Sequence, residues 1–240
     1  MEKAEFRIYE VQLAIFTPNI FFKKNKILKD IMESYSDKFD GDIISIPIPD
    51  DAPKEIPRVI LSDNIRRYEF EIAESRTNFH IFSIKTFEIE SNLKLYLDFY
   101  FQLIDKYIKS TNAIIGRMGV VINKIIEKEN SANFLVKYFL KKSFLENIHF
   151  HDLDNLELNF KKIISLNKIN VNSWTRFRNS KAIVRNKKRF DSIIVMQDIN
   201  TLSEELEQKN YSIKNLEEFV KIAFDKHSEI LKEIFLEGID

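Results

Sequence analysis

No cysteine occurs in the 240 residues. Disulfides, thiolate nucleophiles, Cys-ligated zinc and iron–sulfur clusters are therefore excluded. Glycine is nearly as scarce, at four residues, and neither a Walker nor a dinucleotide-binding pattern can be assembled from it. Gly116 and Gly119 bracket Arg117 in "IIGRMGVVINKI", 114–125. A phosphate loop would run straight into a helix. A β-branched run follows here instead, so the stretch reads as a strand whose glycines mark a bulge or a close backbone approach. No apolar run approaches the roughly 18 residues that span a bilayer, and "MEKAEFRIYE" lacks a secretory apolar core. The expectation is a cytoplasmic protein without membrane contact. No G-x-S-x-G elbow, S-x-x-K set or kinase signature is present. The sequence leans away from an enzyme, and no cofactor is expected.

What is present is ordinary for a folded chain. Hydrophobic residues make up 44% and charged residues 31%, with Phe abundant at 21, so a substantial core can form. Lys plus Arg equal Asp plus Glu at 37 each, but they are unevenly placed. Residues 161–190 hold ten Lys or Arg and no acid, whereas 191–240 hold twelve acids against five Lys. Alone, the basic block resembles a nucleic-acid footprint. The simpler reading sets it against the acidic C-terminal segment or on solvated strands.

Hydrophobic periodicity supplies the elements. In 8–16, Tyr9, Val11, Leu13 and Ile15 alternate onto one strand face. Residues 25–39 change to a helical stripe stopped by Gly41. Four of the five prolines fall in 42–64, which predicts an edge strand and loop. Strands are expected at "RRYEFEIAE" and "NFHIFSIKTFEIE". Ser91–Asn92 then caps a helix over 93–109 that is apolar nearly all round. After the 114–125 strand, Asn130–Ser131 caps a helix over 132–145. Strands are expected at "NLELNFKKIISL", "INVNSWTRFRN", "KAIVRN" and "RFDSIIVMQDI", and a final helix over 213–236. The order strand, helix, strands, helix occurs twice, over 1–112 and 113–240, with no linker between. It predicts an α+β fold: two similar halves building a large, mainly antiparallel curved sheet covered by helices, in one compact body.

"PRVILSDN" (57–64), "RMGVVIN" (117–123) and "AFDKHSEILKEIF" (223–235) resemble the landmarks of a sporadically distributed prokaryotic family of uncharacterised proteins of similar length. That family often shows an Arg–Tyr pair where Val120–Val121 stand here. The resemblance implies no established activity; its sporadic distribution implies a host-defence or mobile-element setting. The element order is also similar to the duplicated saddle of TATA-binding proteins.

Three candidate sites follow. In "NSWTRFRNSKAIVRNKKR", Trp174, Arg176 and Arg178 share a strand face, with Thr175 and Phe177 on the other. With Lys181, Arg185, Lys187, Lys188 and Arg189 they make an aromatic and cationic stretch suited to base stacking and phosphate contact. The competing reading is a Trp at the core edge covered by Arg stems. In "HFHDLD", His149 and His151 share a face and Asp152 and Asp154 add oxygen ligands, a metal-like string. His227, on the last helix's apolar stripe, reads as a satisfied core residue. The expected role is a non-catalytic binding or regulatory module with a protein partner or a homodimer. The alternatives are a nucleic-acid binder using 161–190 and a metal-dependent enzyme using 149–154.

Overall fold

The computed structural model describes residues 6–18, 22–49, 51–84, 88–140, 153–183 and 189–235. Within them the order is β1 (Arg7–Phe16), α1 (Lys24–Tyr35), β2 (Ile44–Ser45), β3 (Val59–Ser62), β4 (Tyr68–Ile72), β5 (Arg76–Phe82), α2 (Ile89–Thr111), β6 (Arg117–Glu127), α3 (Ser131–Phe139), β7 (Glu157–Leu166), β8 (Ile169–Ile183), β9 (Arg189–Thr201), a 3-10 turn at Ser203–Glu205, and α4 (Ile213–Ile234). The strands form one curved sheet in the order β2-β3-β4-β5-β1-β6-β9-β8-β7. Every neighbouring pair is antiparallel. The α+β class expected from the alternation is therefore the fold observed. From the β1–β6 seam, β5, β4 and β3 succeed one another on one side and β9, β8 and β7 on the other.

Alternation assigns the two faces. Val11, Leu13, Ile15, Phe79, Ile81, Met118, Val120, Ile122, Val171 and Ile199 are buried in one cluster with helix residues Ile27, Ile31, Tyr100, Leu103, Tyr107, Leu216 and Phe219. Phe177, Ile193 and Val195 share a second cluster with Leu135, Leu231 and Phe235. Both clusters lie on the same side of the sheet, because their strand residues are in register. All four helices thus cover one face, and among the described residues none lies on the other.

Tyr9 departs from the expected strand face. The β1–β6 register shifts between Ile8 and Glu10, which turns Ile8 into the core and leaves Tyr9 only half-buried.

The two glycines separate. A Cβ on Gly116 would stand 2.0 Å from the Leu206 carbonyl oxygen, so a close backbone approach fixes glycine there. A Cβ on Gly119 would meet Asn200 Cβ at an ordinary 3.5 Å, and no bulge occurs at it, because the register with β1 is unbroken from Glu10 to Phe16.

Two further expectations are corrected. α2 begins at Ile89 with Glu88 as its cap residue. Ser91 Oγ and Asn92 Nδ2 both donate to the Glu88 carbonyl from inside the helix rather than capping it. The break expected between "INVNSWTRFRN" and "KAIVRN" is absent, since β8 runs through it. Its polar residues are satisfied sideways. Asn179 Oδ1 accepts from the Leu156 amide, Asn179 Nδ2 donates to the Asp154 carbonyl, and Ser192 Oγ donates to the Ser180 carbonyl.

The apolar girdle of α2 is consumed inside the chain. Tyr96, Tyr100, Leu103, Ile104 and Tyr107 are buried on the sheet. Phe99 turns sideways to meet the rings of Tyr35, Phe39, Tyr68 and Phe79. Leu95 is left exposed. A wide stripe here reflects contact with both the sheet and α1. Among the described residues no helix is long and apolar enough to cross a membrane.

Candidate functional site

The face on which none of the described helices lies is polar at its centre. Adjacent pairs along one transverse row join Glu69 to His80, His80 to Gln12, Gln12 to Val121, Val121 to Asp198, Asp198 to Trp174 and Trp174 to Lys161. These side chains pack on one another instead of on a helix, so most are half-buried.

At the β4–β5–β1 end, His80 lies between two carboxylates. Its Nδ1 is 3.4 Å from Glu10 Oε1 and its Nε2 is 3.5 Å from Glu71 Oε2. Burial alone would lower its pKa, but hydrogen bonds and charge from Glu10 and Glu71 outweigh burial and raise it to about 9. His80 in turn holds the Glu71 carboxyl below its usual range. Asn78 Nδ2 donates to Glu71 at 2.6 Å, and Arg76 Nε donates to Asn78 Oδ1 at 2.6 Å. The two carboxylates flank opposite edges of the imidazole, which is ion-pair geometry and not the convergent geometry of a metal site.

In the middle, Phe16 carries two guanidiniums, with Arg76 4.9 Å and Arg117 4.6 Å from its ring centroid. Each such contact contributes about 0.5–1 kcal/mol when exposed. Arg117 also donates to the Thr201 carbonyl and Asn200 Oδ1. Asn200 Nδ2 donates to Asp198 at 2.9 Å. Burial raises the Asp198 carboxyl above its ordinary value, against that hydrogen bond and the charges of Arg76, Arg176 and Arg117.

At the β8–β7 end, Trp174, Arg176 and Arg178 lie on this open face, as alternation predicts, with Thr175 and Phe177 buried beneath the helices. Lys161 Nζ is 5.1 Å and Arg176 Cζ 5.5 Å from the Trp174 ring. The Tyr9 hydroxyl is pushed up first by burial and then by Glu10, with Arg178 opposing. Between these groups, Asn123, Glu157, Arg176, Arg178, Ile194 and Met196 enclose a cavity of about 180 Å³. Arg176 Nε is buried and has no hydrogen-bond partner.

Only some of the other expected site residues are among those described. Lys181 is exposed, pairs with Asp191 and has the opposite parity. The Arg189 backbone pairs with Ile183. Arg185, Lys187 and Lys188 lie outside the described residues, as do His149, His151 and Asp152. Asp154 is exposed just before β7. No group of three His, Asp or Glu placed to hold a metal occurs among the described residues.

His227 corrects the reading of a satisfied core histidine. It is fully buried, yet neither ring nitrogen makes an ordinary hydrogen bond. Gln197 Nε2 instead donates to the His227 carbonyl. Burial first, then the nearby Lys124 charge, lowers the imidazole pKa to about 3, with the Val120 backbone opposing.

The Glu10–His80–Glu71 and Phe16–Arg76–Arg117 groups were not foreseen. The available signal was polar residues at alternate positions in otherwise apolar strands.

No family model matches the chain, and no curated protein matches it. Among solved structures it is similar to the Methanococcus jannaschii TBP, at 11% identity over 92% of this chain and 99% of that one, with a TM-score of 0.25. A likeness at that score carries no argument about this chain.

Proposed function

We propose that this chain is a non-catalytic binding module that docks a single-stranded nucleic acid on the open face of its sheet. The observation that supports this most is the half-buried Trp174 on that face, flanked by Lys161 and Arg176. An indole beside cations offers base stacking, worth about 1–3 kcal/mol per base, together with phosphate contact. The fate of the α2 girdle also favours this ligand over a protein docked through that helix, because its apolar surface is already used within the chain. The test is a titration with a labelled single strand at two salt concentrations. Binding that weakens steeply as salt rises is expected. No binding at low salt would reject the reading.

A second reading, self-association, has its own observation. β7 is a ten-residue sheet-edge strand with Phe160 48% and Ile163 59% exposed. An edge of this kind is a template for pairing with another chain, although Lys161 and Lys162 blunt it. Light scattering tests it: a mass of one chain across the micromolar range would reject it.

A further inference from the structure

The cavity between Arg176 and Arg178 has the size and chemistry of a site for one anionic oxygen group. Its volume of about 180 Å³ equals roughly six waters of liquid. Two guanidiniums from alternate residues of β8 border it on the same face. The unpartnered Arg176 Nε leaves a buried donor unsatisfied, which is destabilising. A ligand oxygen that accepted this hydrogen bond would relieve that cost. Arginine forks suit phosphate in particular. Ile194 and Met196 also line the cavity.

Glu157 decides the class of anion. It pairs across strands with Arg178 and lines the same cavity, while its Oε1 accepts from Asn159 Nδ2 at 3.1 Å. Two cations and one carboxylate leave a single net positive charge. That balance fits a singly charged phosphodiester better than a doubly charged free phosphate. We infer that this cavity seats one backbone phosphate of the strand that stacks on Trp174. The inference rests on the proposed function above and supplies its phosphate contact.

The experiment is fluorescence anisotropy with a labelled oligothymidylate across a salt series, with folding checked by circular dichroism. Arg176→Gln and Arg178→Gln are each expected to weaken binding and to lower the slope of log K against log salt by about 0.7, the value for one phosphate contact on a single strand. Glu157→Gln is expected to tighten binding several-fold. Trp174→Ala is expected to weaken binding without changing the slope. Arg178 and Glu157 are exposed, so those two variants decide the matter if Arg176→Gln fails to fold.

If the wild type binds but Arg178→Gln leaves the slope unchanged and Glu157→Gln leaves affinity unchanged, the phosphate seat is wrong while the docking reading stands. If the wild type does not bind the strand at low salt, the docking reading falls, and titration with inorganic phosphate judges the cavity by itself. Saturable binding lost in Arg178→Gln would retain a phosphate site with free phosphate as its source. No binding would overturn it.

Discussion

At the residue scale, His80 and His227 drive stability in opposite directions with pH. His80, between Glu10 and Glu71, has a folded pKa of about 9 against an ordinary 6.5. The folded state holds its proton more tightly than the unfolded chain does. That contribution is complete below pH 6.5 and is lost as pH rises from 6.5 through about 9. His227 has a folded pKa of about 3, so the unfolded chain takes a proton that the core refuses. Its contribution is complete above pH 6.5 and falls as pH drops toward 3. Each limb can reach about 1.4 kcal/mol per pH unit. Together they place a stability maximum near pH 6.5. Urea denaturation between pH 5 and 8 measures this. His80→Gln should flatten the alkaline limb and His227→Leu the acid limb. Variants with the slopes of the wild type would show that neither histidine sets the profile.

At the element scale, α2 carries a defect that can be repaired. The Tyr100 hydroxyl is fully buried without a hydrogen-bond partner, and burial drives its pKa up. Tyr100→Phe removes a buried, unpaired polar group that costs about 1–3 kcal/mol while keeping the ring contacts, and so should stabilise the protein. The counter-example is Tyr211, whose hydroxyl donates to Glu205 at 2.6 Å. Tyr211→Phe should cost about 1 kcal/mol. Urea midpoints moving in the same direction for both variants would contradict this account. The body of α2 was legible from its apolar period, but its start was not. "FEIE" alternates like a strand and Ser91–Asn92 look like a cap. Glu90 instead accepts the Ile8 amide at 2.5 Å, which ties the first turn to β1. The same contrast governs the site. Trp174, Arg176 and Arg178 could be placed on one face because their spacing is local. The surroundings of His80 could not, since Glu10 lies 70 residues away and only strand pairing brings them together. Likewise the continuity of β8 through Asn179 depends on donors and acceptors from β9 and the segment before β7, which no local pattern shows.

At the scale of the whole molecule, the β1–β6 seam is the place to test whether the chain is one body or two. We propose that 1–112 and 113–240 are similar halves that cannot stand apart. Their strands leave the seam in matching succession, β1, β5, β4, β3 and β6, β9, β8, β7. One core cluster takes Val11, Leu13 and Phe79 from the first half and Val120, Val171, Ile199 and Phe219 from the second. Severing the seam would expose β1 and β6 as long unpaired edges and uncover that shared core. Each half, near 120 residues, would then lose much of the burial that offsets chain entropy. Expressed separately, residues 1–112 and 113–240 should give no cooperative unfolding transition. When mixed, they should recover the circular dichroism spectrum and a single transition. A half that unfolds cooperatively by itself, with stability close to that of the full chain, would show that the seam joins two independent domains. The polar network across it, from Arg76 through Phe16 to Arg117, would then be an interface formed after folding and not a part of one.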